Sequence, residues 1–146
     1  STQSGLVAGF KAIGKPVTVI GIPDDEETLI KRQRVLDLAN QGLEACGLPG
    51  TVSASDVNVI AVDTSPYGKA DSGTLEAVRL LARTEGLMAD PVYEGKALLG
   101  LMSLHSKGFF PPGSRVLLMH LGGTPAVHGY AAQLGLPHLT PFTAGD

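Results

Sequence analysis

The sequence is poor in cysteine, with one in 146 residues, and has no tryptophan. With Cys46 alone, no internal disulfide forms and no zinc site built on paired cysteines can be assembled, which fits a reducing compartment. No apolar run approaches the roughly 18 residues of a membrane-spanning helix, so a membrane is not an expected partner. Positive charge is also scarce: 11 Lys and Arg face 14 Asp and Glu, the net charge is -3, and no basic stripe offers nucleic acid a footprint. The opening "STQSGLVAGFKAIGKP" lacks the charged start and long apolar stretch of a secretory signal, so a cytoplasmic protein is expected. An initiator Met is missing too, as in a processed chain or a piece of a longer one.

What is present suits one domain's worth of globular chain, since 43% of the residues are apolar and can line a sizeable core. "PVTVIGIP", Pro16 to Pro23, reads as a strand covered on both faces. "DDEETLIKRQRVLDLANQGLEACG" follows as a helix with an acidic first turn and with Leu29, Ile30, Leu36, Leu43 and Cys46 near helical spacing. Gly47 and Pro49 end it. "DVNVIAV", Asp56 to Val62, reads as a second strand. The loop "DTSPYGKADSG" leads into the helix "TLEAVRLLARTEG", with Ser72 as its N-cap and Gly86 as its stop.

A further helix is expected from Asp90, with Pro91 in its first position, to about Lys107. A third buried strand is expected over Arg115 to His120. The glycines Gly122 and Gly123 then open a closing helix through Ala126 to Leu134, and "LPHLTPFTAGD" reads as surface coil. Strands alternating with helices imply a parallel α/β sheet. The chain opens on the first turn of a helix with no strand before it, as though cut inside a βαβ unit.

Several positions admit both a structural and a chemical role. Ser1 and Thr2, at a helix start, offer hydroxyls and free backbone N–H groups to an anion, or simply cap the helix. "HLGGTPA" is a tight turn or a close backbone approach to a ligand. Tyr93 and Glu94 fall in the first turn after Asp90, where a carboxylate suits the helix dipole without further purpose and a tyrosine can merely pack. Tyr67 in "SPYGK" is a loop aromatic. His105, His120, His128 and His138 lack metal-ligand spacing, so no metal is expected. Cys46, near a helix C-terminus, reads as packed and unreactive. The serines show no GxSxG elbow.

Taken together, "STQSGLVAGF", "SPYG", "SGTLEAVRLLARTEGLMADPVYEGKALLG" and "FPPGSRVLLMHLGGTPAVHGY" carry a specific likeness over nearly the whole chain. The sequence resembles the C-terminal part of the 1-aminocyclopropane-1-carboxylate deaminases. These are pyridoxal-phosphate enzymes closely related to D-cysteine desulfhydrases. The resemblance implies an α/β fold class, part of the three-layer parallel-sheet domain of the tryptophan-synthase-β-like, fold type II enzymes. Residues 1–146 would form the C-terminal part of the large cofactor-binding domain. The N-terminal part, with the small domain, would be absent from this chain and would be its partner.

Carried over residue by residue, the resemblance gives Ser1 and Thr2 to the cradle of the cofactor phosphate. Tyr67 and Tyr93 become active-site tyrosines on the substrate side, Tyr93 as nucleophile or proton-transfer partner. Glu94 falls beside the pyridine nitrogen, and Leu121 is a neighbour of that nitrogen. The desulfhydrases carry a small hydroxyl residue in place of Glu94 and "HTGG" in place of "HLGG". The deaminase substrate has no hydrogen on its α-carbon, so ring opening must push electrons into the cofactor. A carboxylate that keeps the pyridine nitrogen protonated deepens that electron sink better than a hydroxyl.

The reaction implied is opening of the cyclopropane ring of 1-aminocyclopropane-1-carboxylate to 2-oxobutanoate and ammonia, by an intact homodimer acting on a small amino acid. The alternatives are D-cysteine desulfhydrase and a stand-alone anion-binding α/β module. The lysine that would anchor pyridoxal 5'-phosphate through a Schiff base matches none of Lys11, Lys15, Lys31, Lys69, Lys96 or Lys107, so this polypeptide alone is expected to be inactive.

Overall fold

The computed structural model describes residues 2–23, 27–62 and 65–136. The chain divides into two units, Ser1–Asp63 and Thr64–Asp146. Ser1 and, from residue 137 on, the tail read as coil lie outside the described residues.

In the first unit, helix α1 (Thr2–Ala12) packs on helix α2 (Thr28–Ala45), and between them in sequence runs β1 (Ile20–Gly21). The β1 strand pairs in parallel with β2 (Asn58–Val59), Ile20 opposite Asn58 and Gly21 opposite Val59. The core joins Val7 and Ala8 of α1, Val35, Ala39 and Leu43 of α2, and Val52, Val57 and Val59. The three α2 positions are spaced by four, which puts one residue per turn on the buried face.

Side chains tie the unit together where the backbone does not. Gln3 Nε2 donates to the Asn58 carbonyl at 2.6 Å. That amide lies so close to Gly21 that a β-carbon there would stand 2.0 Å from Gln3 Oε1, so a larger residue would push the Gln3 side chain off the Asn58 carbonyl. Asn40 uses both ends of its amide on Val52, accepting from its N–H at 2.9 Å and donating to its carbonyl at 3.0 Å. Asp56 accepts from the N–H and hydroxyl of Ser53 and pairs with Lys11 at 2.9 Å. The Ser53 backbone bond, then the Lys11 and Ser53 side chains, lower the Asp56 pKa to about 2.

The strand expectations need correction in extent. The β1 ladder is two residues long, and Val17, expected to be covered on both faces, is 51% exposed. Pro16 and Pro23 bound this segment and have no N–H to give a ladder. Asp56, expected to open the second strand, ends a 3-10 turn (Ala54–Asp56) instead. In α2, the apolar face is Val35, Ala39 and Leu43, while Leu29 and Ile30 are exposed; no acidic residue occupies its first turn. Cys46 is exposed rather than packed, because it caps α2 at the point where Gly47 turns the chain at φ +61°.

In the second unit, α3 (Ser72–Glu85) packs on α4 (Glu94–Ser106), followed by a 3-10 segment (Thr124–Tyr130) and a short α5 (Ala131–Leu134). Leu75 and Val78 of α3, Ala89, Val127 and Leu134 form its core. Gly95 sits where α4 approaches α3: a β-carbon there would lie 2.8 Å from Val78 Cγ2 and 3.0 Å from both Thr74 Cγ2 and the Asp90 carbonyl. The α3 N-cap is Asp71, one residue before the expected Ser72, and its carboxylate accepts from Thr74 N–H at 2.7 Å. Gly86 closes α3 in the left-handed conformation, as expected.

The third strand expected over 115–120 does not form. That segment pairs with no other strand among the described residues, and Val116, Leu117 and Met119 are exposed. A strand exists only where a neighbour accepts its hydrogen bonds, which an apolar pattern alone cannot supply. The closing helix is mostly 3-10 and becomes α-helical only over Ala131–Leu134, after Gly129. Among the described residues, no helix is long and apolar enough to cross a membrane.

Candidate functional site

The site of the second unit is organised by Asp90, which is 1% exposed. Its Oδ1 accepts from the N–H groups of Val92 and Tyr93, both at 2.8 Å, and its Oδ2 from that of Glu94 at 3.0 Å. Pro91, the next residue, has no N–H to leave over. The α-helix therefore begins at Glu94, later than the expected start at Asp90: the carboxylate caps a preceding turn, and Tyr93 takes the N-cap position. This turn delivers two adjacent side chains in different directions, for Tyr93 is 51% exposed and Glu94 is buried.

The buried carboxylate of Glu94 is only half satisfied. Its Oε1 accepts from the backbone N–H of Leu121 at 2.5 Å and of Gly122 at 2.8 Å. The "LGG" turn can bring those amides in because Gly123 takes φ +82°, with the Asp90 carboxyl 3.0 Å from where its β-carbon would be. The other oxygen, Oε2, is buried and has no hydrogen-bond partner among the described residues. His120 Nε2 stands 3.5 Å from it but lies nearer, at 3.1 Å, to the Met88 carbonyl. The Met88 carbonyl, which can only accept, is the nearer of the two oxygens to this ring nitrogen.

The exposed side of the turn carries a tyrosine pair. The hydroxyls of Tyr67 and Tyr93 are 2.6 Å apart, and their rings meet edge to face with centroids 5.7 Å apart. Tyr67 rides on the turn 65–68, which is held from several sides. Asp71 Oδ2 accepts from Ser65 N–H at 2.7 Å, Tyr130 donates its hydroxyl to the Gly68 carbonyl, and Lys96 reaches the carbonyls of Ser65 and Pro66. Burial works against the charge of Asp71. The N–H groups of Thr74 and Ser65, with their hydroxyls, outweigh it and bring the pKa to about 2.

Four of the six residues singled out in the sequence thus come together in two contacts, Tyr67 with Tyr93 and Glu94 with the backbone of Leu121. Thr2 is the exposed first residue of α1, in the first unit, and Ser1 lies outside the described residues. Asp90 and Lys96, both buried, are the contributors that sequence reading did not bring into the site. The signal for Asp90 was available, since an Asp before Pro is a frequent capping turn. Among the described residues, no group of three or more His, Cys, Asp or Glu side chains could hold a metal ion.

A buried carboxylate with one oxygen pinned and the other without a hydrogen bond among the described residues suits an added N–H donor, preferably a cationic one. A protonated pyridine nitrogen is such a donor, so the residues present fit a pyridoxal ring.

Comparison with known proteins identifies the family. The family model described as pyridoxal-phosphate dependent enzyme matches residues 1–122. A 1-aminocyclopropane-1-carboxylate deaminase of Methylobacterium nodulans is 44% identical over 131 residues, covering 89% of this chain and 39% of the relative. One of Rhizobium rhizogenes is 42% identical over 132 residues, with 90% and 39% covered. A solved structure described as an ACC deaminase homologue matches with a TM-score of 0.79 at 26% identity, covering 91% of this chain and 39% of that one. The chain therefore spans about two fifths of the length of the relatives it matches.

Proposed function

Since the chain belongs to the pyridoxal-phosphate dependent enzyme family, we propose that it is the C-terminal part of the large domain of a 1-aminocyclopropane-1-carboxylate deaminase. Its α/β pattern with a parallel strand pair is that of the fold type II members. The whole enzyme would open the cyclopropane ring, take up one water and release 2-oxobutanoate and ammonia. The lysine that anchors the cofactor would come from the rest of the protein, so this segment alone would not turn over substrate. A cytoplasmic homodimer is the assembly we assign to the intact protein.

The observation that carries this reading is the buried Glu94 Oε2, which has no hydrogen-bond partner among the described residues. Bound pyridoxal phosphate supplies an electron sink for the bond broken at the substrate's α-carbon. Glu94 would accept a hydrogen bond from the ring nitrogen and hold its proton there. The two amides on Oε1 keep the carboxylate oriented. A hydroxyl residue at this position would accept a hydrogen bond but bring no negative charge.

On the exposed side, Tyr93 would face the substrate and move a proton to or from its carbon skeleton, or attack it. The Tyr67 hydroxyl, 2.6 Å away, is placed to donate to Tyr93 and to stabilise negative charge developing there. Ser1 and Thr2 would serve the cofactor phosphate at the start of α1.

Turnover by the intact protein tests the reading. With 1-aminocyclopropane-1-carboxylate the expected product is 2-oxobutanoate; D-cysteine, the substrate of the sister activity, should be the poorer of the two. Changing Glu94→Thr together with Leu121→Thr should move the ratio of kcat/KM toward D-cysteine. An unchanged ratio would show that these two positions do not set the reaction.

A further inference from the structure

Lys96 is buried to 1% exposure, yet its described partners are carbonyls and not a carboxylate. Its Nζ donates to the Ser65 carbonyl at 2.7 Å and to the Pro66 carbonyl at 2.9 Å. Removing an ammonium from water is costly, and an aliphatic side chain would fill the same volume without that cost. What the ammonium provides, and an aliphatic residue does not, is a fixed grip on two successive peptide groups.

Those peptide groups immediately precede Tyr67. The Pro66 carbonyl also accepts from Lys69 N–H at 3.1 Å, closing the turn, whereas Lys96 is the described donor to the Ser65 carbonyl. Lys96 itself belongs to the first turn of α4, three residues after Tyr93. One helical turn therefore carries one tyrosine and grips the loop that carries the other. A displacement of this turn would carry both phenols with it, which keeps their separation constant.

We propose that Lys96 is a positioning residue that sets the Tyr67–Tyr93 hydroxyl contact by clamping the turn 65–68 to the start of α4. The inference deepens the reaction proposed above and rests on that reading for its bearing on turnover. The clamp itself does not depend on it. Lys96 acts through the backbone of Ser65 and Pro66.

The test uses the intact holoenzyme labelled with carbon-13 at the tyrosine ζ-carbon, with Tyr93 assigned by Tyr93→Phe. Tyr67→Phe removes the partner hydroxyl and shifts the Tyr93 resonance. Lys96→Met should shift it in the same direction, and adding Lys96→Met to Tyr67→Phe should shift it little further. Lys96→Gln, which keeps a neutral donor on a shorter stem, should give an intermediate shift and serves if the Met variant does not fold. A Tyr93 resonance at its wild-type position in either folded variant overturns the proposal.

Kinetics separates the clamp from the reaction. Loss of alignment should lower kcat by up to about 100-fold, with KM little changed and with the double variant no worse than the more impaired single one. A moved resonance with unchanged kcat would uphold the clamp and remove Tyr67 from the mechanism.

Discussion

Replacing Asp90 by Ala should damage the site more than any other single truncation in the second unit. Three backbone N–H groups, at 2.8, 2.8 and 3.0 Å, lose their acceptor at once. Hydrogen bonds to a charged group contribute about 1.5–3 kcal/mol each, and a buried donor left unpaired costs about 1–3 kcal/mol. The three bonds share one carboxylate, so their effects do not add, and ordinary N-cap deletions stop near 2 kcal/mol. Two of the donors belong to buried residues, Val92 and Glu94, which cannot turn to water without opening the helix start. A loss of about 3 kcal/mol follows from these bounds. Asp90→Asn should lose about half as much, because its NH2 group must face at least one of the same N–H donors. Thermal unfolding of the intact protein gives the total, and hydrogen exchange at the amides of residues 92–94 gives the local part. An Asp90→Ala protein within about 0.5 kcal/mol of wild type, the range of an ordinary surface change, with those amides still protected, would refute the capping argument.

Three further outcomes follow from the same geometry. Gly95→Ala places a methyl 2.8 Å from Val78 Cγ2 and should cost about 1–3 kcal/mol by thermal unfolding. Asp71 has its pKa lowered from 3.8 to about 2, so its stabilisation is full above pH 4 and fades as pH falls toward 2. The stability of wild type relative to Asp71→Asn should therefore fall as pH drops from 6 to 2, by about 1 kcal/mol after solvent screening of this partly exposed group, in denaturant titrations. Gly123→Ala combines a φ of +82° with a contact of 3.0 Å to the Asp90 carboxyl, and should lower kcat by disturbing the amides that hold Glu94.

The helices and the turn chemistry were legible in the sequence because their signals are local. The stop at Gly86 and the break at Gly47 are written in single residues whose φ must be positive. The contacts of Tyr67 with Tyr93, 26 residues apart, and of Glu94 with Leu121 were not legible from spacing; the family resemblance put the two tyrosines on the substrate side and the other two residues near the pyridine nitrogen, without giving the contacts. Strand length was the weakest inference. "RVLLMH" has the composition of a buried strand, but composition says nothing of whether a neighbour is present to pair with it. The same limit hid Lys96, whose partners lie some thirty residues away on a loop. On α2 the expectation held at Leu43 and in part at Leu36, and failed at Leu29 and Ile30, which outweigh Ala39 in hydrophobicity but lie off the buried face.

The decisive question is whether the acid at position 94 governs the charge of the bound heterocycle. The intact holoenzyme, loaded with pyridoxal phosphate carrying nitrogen-15 in its ring, answers it by magnetic resonance. The wild-type protein should show a protonated ring nitrogen, and Glu94→Thr should move that signal toward the position of a neutral pyridine. Identical signals from the two proteins would contradict the account.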